Sequence, residues 1–168
     1  MKKSVFVLIA AIAFAAMSFV SAPMWVTHHD ALGFKINFPA TPTRTVLSST
    51  DPLVLNKIKL EQITTGFPRF TLIYEEKSAA YVNVNKVLND LVDAHCAKVS
   101  GTIVFRSTPR AWKLGTQVTA KIENSAGLKC NIRTFINGSE CVIMIVEQNG
   151  TYAPFSDVSE KFWETLVL

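Results

Sequence analysis

From Gly33 onward, apolar and polar residues alternate in short runs, interrupted once by a helical spacing and closed by another. The run "GFKINF" (33–38) places Phe34, Ile36 and Phe38 on one side and stops at Pro39 and Pro42, which cannot donate to a ladder. In "LVLNKIKLEQI" (53–63), Val54, Ile58 and Leu60 share one face while Lys57, Lys59 and Glu61 share the other. That pattern predicts a half-solvated or edge strand. Gly66 and Pro68 mark a turn, and "RFTLIYEE" (69–76) alternates again through Phe70, Leu72 and Tyr74.

The period then changes. In "NVNKVLNDLVDAHCAKVSG" (83–101), Val84, Val87, Leu88, Leu91, Val92, His95 and Val99 recur every three or four residues, which predicts a helix with one apolar stripe. Asn83 or Asn85 is placed to cap its start, and Gly101 to close its end in a left-handed conformation. A short strand around "TIVFR" (102–106) leads through Pro109 and Trp112 to "GTQVTAKIE" (115–123). There Val118, Ala120 and Ile122 alternate with polar residues expected to face water.

Asn137-Gly138 separates two apolar strands, "LKCNIRTFI" and "SECVIMIVEQ", and predicts a hairpin with both turn residues at positive φ. The expected register sets Ile136 opposite Ser139, Thr134 opposite Cys141 and Ile132 opposite Ile143. One face then carries Cys130, Ile132, Ile136, Cys141, Ile143 and Ile145, and the other carries Arg133, Phe135, Val142, Met144 and Val146. Both faces are apolar, so both should be covered. The closing segment "FSDVSEKFWETLVL" (155–168) puts Phe155, Val158, Phe162 and Leu166 on one helical stripe, with Ser156 or Asp157 as its start signal. The class expected is α+β, a largely antiparallel sheet with helices packed on it as an α/β/α sandwich.

The order of these motifs resembles small exported bacterial proteins of uncharacterised function with a PsbP/Mog1-like layout. The points of contact are "FKINFPATP", "FTLIY", the central amphipathic helix, the hairpin "RTFINGSECVIMIV" and the terminal "FWETL". They span most of residues 33–168. The sequence departs from the pattern at "KLGTQV" (113–118), where relatives often carry Pro-Gly before the hairpin. These are packing and turn motifs. The resemblance therefore implies a fold, and families of this fold act mostly as assembly or binding modules without a common active site.

At 168 residues the chain has a one-domain length. Residues 1–22 show a basic start, an apolar run from Val5 to Val20 and small residues at the end, the order of a secretory signal. The favoured organisation is a cleaved signal peptide at 1–22, a solvated linker at 23–32 and a single α+β domain at 33–168. The alternative is an uncleaved membrane anchor; the run of 16 residues is short against the roughly 20 that span a bilayer. The expected location is periplasmic or extracellular, with membrane contact only through residues 5–20 if the segment is retained. Without that segment there are 15 basic and 13 acidic side chains, scattered singly, too sparse a footprint for nucleic acid.

Few residues suggest chemistry. His28, His29 and Asp30 in "WVTHHDALGF" are metal-ligating types, but neighbours on an extended chain point to opposite sides. A metal site on His28 and His29 would need His95 or Cys96 from elsewhere in the fold, and His28, His29 and His95 are the candidate ligands. Cys96, Cys130 and Cys141 follow no zinc spacing, and an odd count leaves at least one thiol unpaired. If a disulfide forms, Cys96 with Cys130 or Cys141 is preferred, because Cys130 and Cys141 lie too far apart along their ladder. His95-Cys96 is no dyad, since adjacent helical residues do not face each other. Trp112, Tyr152 and Trp163 are candidate surface anchors or core residues, and Glu75-Glu76 a solvated pair. No nucleophile–base–orienter set or nucleotide-binding motif is present in the sequence. The function expected is a non-enzymatic exported domain that needs no cofactor and binds an unidentified envelope or secreted protein or assists envelope assembly. The alternative is a small-ligand or metal-binding periplasmic protein.

Overall fold

The hairpin of β9 (Leu128–Asn137) and β10 (Glu140–Asn149) lies at the middle of the fold. In the computed structural model, which describes residues 25–63, 68–149 and 155–168 and the side chains of all but 155 and 156 of these, ten residue pairs connect the two strands. Residues 1–22, expected from the sequence to be a signal peptide, and Gly66 and Tyr152 lie outside the described residues. Asn137 pairs with Glu140 and Ile136 with Cys141, so the turn is Gly138-Ser139, one residue later than expected. Of the turn pair only Gly138 takes a positive φ, 58°. That is the type II′ arrangement with glycine first, and Asn137 becomes a strand residue. The shift preserves which residues share a face. Cys130, Ile132, Ile136, Cys141 and Ile145 are buried in one apolar cluster, and Phe135, Val142, Met144 and Val146 in another, on the opposite side of the sheet.

The other strands extend the sheet in both directions from this hairpin. On one side β10 pairs with β5 (Arg69–Lys77), then β4 (Val54–Gln62) and β3 (Thr43–Val46). On the other, β9 pairs with β8 (Gly115–Glu123), which carries β6 (Thr102–Arg106) and the short β7 (Arg110–Trp112). Every pairing in this eight-stranded sheet is antiparallel. The edge next to β4 is β3, whose four residues are all exposed. This gives no apolar alternation for a sequence reading to detect.

Each face is covered differently. Helix α1 (Val84–Lys98) joins β5 to β6 and lies over β8 and β9, burying Leu88, Val92 and His95. The opposite face is covered by α2 (Phe155–Glu164) with a separate two-stranded sheet of β1 (Val26–His29) and β2 (Lys35–Phe38). Residues 26–29, expected within a linker, are thus a strand: Val26 to His29 pair with Phe38 to Lys35. Asp30 holds them in place. Its carboxylate accepts from the Leu32 amide at 3.0 Å and from Arg44 Nε on β3 at 2.8 Å, while Gly33 takes the positive φ its turn requires. The C-terminal segment joins the same layer through reciprocal backbone bonds between Lys35 and Val167. Among the described residues no helix is long and apolar enough to cross a membrane.

The polar face of β8 is less wet than its alternation suggests, because Gln117 and Thr119 are buried. Beside them the Arg133 guanidinium lies between the rings of Trp112 and Trp163, 4.6 and 4.4 Å from their centroids, and bonds Glu160 and Glu164 of α2 at 3.0 and 3.2 Å. Both tryptophans therefore complete the packing of α2. Arg133→Ala should cost about 2–3 kcal/mol in urea unfolding, through lost ring contacts more than lost charge. Arg133→Met should cost less, since Glu160 and Glu164 stay solvated.

The end of α1 supplies an opposed pair of expectations. Ser100, with φ 50°, occupies the left-handed position, and Gly101 N–H bonds the Cys96 carbonyl while Ser100 N–H bonds that of Ala97. This is a Schellman closure with serine where glycine is preferred. Gly101 is needed for room instead: a Cβ there would stand 2.5 Å from Ile122 Cγ2 and 3.2 Å from the Glu123 carbonyl oxygen. Ser100→Gly should raise stability by about 0.5–1 kcal/mol. Gly101→Ala should lower it by about 1–3 kcal/mol. Chemical denaturation of the two variants beside the parent checks both signs.

Candidate functional site

Seven strands in sequence across the sheet span about 29 Å at the usual strand spacing. A helix is only about 10–12 Å wide. Because α1 sits mainly over β8 and β9, no helix among the described residues covers the same face of β5 and β4. A groove of about 560 Å³ results, walled on one side by Leu91, Ala94, His95 and Lys98 of α1. Its floor comes from the strands: Ile143, Ile145 and Glu147 of β10, Thr71 and Ile73 of β5, and Lys59 and Glu61 of β4. The alternation that sends Leu60 and Leu72 to the opposite core sends these residues to the groove.

Charge runs along one end of the floor. Glu61 accepts from Lys59 at 3.2 Å and from Arg69 Nε at 2.9 Å. Burial alone would raise the Glu61 carboxyl, but Arg69 and Lys59 hold it below its ordinary value. Arg69 also approaches Glu147 at 3.7 Å, and Glu147 Oε1 lies 3.2 Å from His95 Nε2. That contact with His95 holds the Glu147 carboxyl low, against the effect of burial.

Under this chain lies Cys130, directly opposite Glu147 on the neighbouring strand, with its Sγ 3.4 Å from the same His95 Nε2. His95, Cys130 and Glu147 thus bring a nitrogen, a sulfur and a carboxylate oxygen within 4.8 Å of one another. The trio does not have the layout of a nucleophilic triad. A relay needs one ring nitrogen toward the thiol and the other toward the acid, whereas here both partners meet Nε2. Burial, followed by the neighbouring Glu147 charge, also pushes the Cys130 thiol far above its usual range, which opposes a thiolate nucleophile.

The three histidines singled out from the sequence are not brought together. His28 and His29 lie on β1, in the layer covering the opposite face of the sheet from α1 and His95. His28 Nε2 stands 3.5 Å from Asp30, beside Arg44, and His29 is exposed. His95 keeps a place in a ligand cluster, but with Cys130 and Glu147 as its neighbours. The sequence contained these two residues without a spacing to connect them, because only the strand register and the position of α1 make them adjacent. All three cysteines are free thiols. Cys141 is deeply buried, and burial raises its thiol to about 12. Glu75 and Glu76 are not an unpartnered pair: Glu75 bonds Lys57 at 2.5 Å and Tyr81 Oη at 2.6 Å, and Glu76 bonds Asn56 at 2.7 Å.

Neither a family model nor a curated protein matches this chain in sequence. In three dimensions it is similar to cyanobacterial PsbP (CyanoP) from Synechocystis sp. PCC 6803, known from a solution structure. The superposition covers 89% of this chain and 95% of that one, with a TM-score of 0.61 and 8% sequence identity. At that identity the likeness concerns the fold, and the chain has the PsbP-like α+β fold: a mainly antiparallel sheet with two helices packed on it.

Proposed function

We propose that this protein is a non-enzymatic binding domain that works outside the cytoplasm and seats a partner protein in the groove beside α1. The groove carries the proposal: it combines an apolar floor at Ile73, Ile143 and Ile145 with ion-paired groups at one end. A concave surface of that mixed character suits a ligand that is part apolar and part polar. Export is supported by residues 1–22, whose basic start, apolar run and small-residue end have the order of a secretory signal. A binding role agrees with the absence of a relay among His95, Cys130 and Glu147, the most chemically suggestive group described.

A photo-crosslinking residue introduced at Ala94 or Lys98, both exposed on the groove wall, tests the proposal in cells of the native host. Illumination should give one discrete adduct from either position, and none from the same residue at Lys161, exposed on the opposite face of the sheet. Adducts from Lys161 alone, or from no position, would overturn the assignment of the groove.

A further inference from the structure

We infer that His95, Cys130 and Glu147 form a site for one zinc-class divalent cation, with the fourth coordination position open to the groove. The spacing of the donors is the first support. With metal–nitrogen and metal–oxygen bonds of about 2.0 Å and a metal–sulfur bond of about 2.3 Å, a tetrahedral ion separates nitrogen from oxygen by about 3.3 Å and nitrogen from sulfur by about 3.5 Å. The observed separations from His95 Nε2 are 3.2 Å to Glu147 Oε1 and 3.4 Å to Cys130 Sγ. The remaining pair, sulfur and carboxylate, lies within 4.8 Å. Cys130 and Glu147 are cross-strand partners, so side-chain rotation alone can close that edge.

The second support is how the donors are satisfied without a metal. His95 Nε2 faces two partners and offers one hydrogen or one lone pair, never both. If it donates to Glu147, the sulfur gains no proton from it; if it accepts from the thiol, it has nothing to give the carboxylate. A cation at the centre binds all three lone pairs at once. The donor set of imidazole, thiolate and carboxylate is the chemistry of zinc and its close relatives, not of magnesium or calcium.

The third support is placement. His95 and Glu147 line the groove while Cys130 lies beneath them on β9, so three protein ligands come from below and from α1. The fourth position is left for water or for a donor group of whatever occupies the groove. Binding replaces the Cys130 S–H bond with a metal–sulfur bond and releases the proton to solvent, with no change of oxidation state. The metal site goes beyond the partner-binding proposal and does not depend on it: either could fail with the other intact.

Cobalt(II) and zinc titrations of the purified protein, with thiols kept reduced, test the inference. Cobalt should bind one per chain, with the near-ultraviolet thiolate charge-transfer band and the intense visible bands of a tetrahedral ion. Zinc should displace it and, at a hundredfold excess over its dissociation constant, raise the melting temperature by roughly 5–10 °C. Glu147→Gln and His95→Ala should weaken cobalt binding at least tenfold, and Cys130→Ser should abolish the charge-transfer band. Cys96→Ser and Cys141→Ser should keep it, which guards against a variant that merely misfolds. No thiolate band in the parent protein would overturn the site. So would metal binding that survives Cys130→Ser but is lost in His28→Ala with His29→Ala, since that places the ion on β1.

Discussion

Strand β10 is hydrogen-bonded along both edges, to β5 and to β9, and carries buried apolar side chains on both faces. The rest of the structure follows from that constraint. A doubly apolar central strand must be covered above and below, so the fold needs a layer on each side of the sheet. On one side this is a composite of α2, β1 and β2, closed by the aromatic contacts of Phe38, Phe70 and Phe162. On the other, among the described residues, it is α1 alone. A single helix cannot cover so wide a sheet, and the uncovered portion is the groove.

Where the cover ends, the sheet changes from apolar to polar within one rung of its ladder. Cys130, Glu147 and Arg69 lie side by side across β9, β10 and β5, with His95 approaching from α1. A rung of this composition is costly in a core and useful at the border of a cavity, where charge can be partly solvated and still be held by neighbours. These polar contacts in turn restrain the His95 and Glu147 side chains, since each also meets a second group, Cys130 and Arg69 respectively. The outcome is a charged end on a groove whose floor is apolar at Ile73, Ile143 and Ile145.

Much of this was legible from residue patterns. The period of the central helix, the two faces of the hairpin and the apolar faces of the strands agree with the structure, because each follows from local geometry that a sequence displays directly, whereas the polar face of β8 is buried at Gln117 and Thr119. The Asn137-Gly138 pair located the hairpin but misplaced its turn by one residue. The two turn types differ in which residue must take positive φ, and Gly138 satisfies either. Strands β1 and β3 were missed for a common reason. They are short and mainly exposed, and are held by Asp30, Arg44 and backbone pairing with no buried alternation of their own. The candidate ligands show the deeper limit. His95 was visible as a polar residue on an apolar stripe, but Cys130 and Glu147 became its neighbours only through the pairing of β9 with β10 and the seat of α1 over them. Tertiary adjacency of that kind leaves no mark in the spacing of a single chain.

The account depends most on the groove being open while the adjoining half of the same face is sealed. Methyl NMR of the isoleucines with a soluble paramagnetic agent measures this directly. Ile73 and Ile143 line the groove, whereas Ile122 and Ile132 lie on the strands that α1 covers. The account predicts strong broadening of the first two signals and little of the last two. Equal protection of all four would mean that this face is closed, and would contradict it.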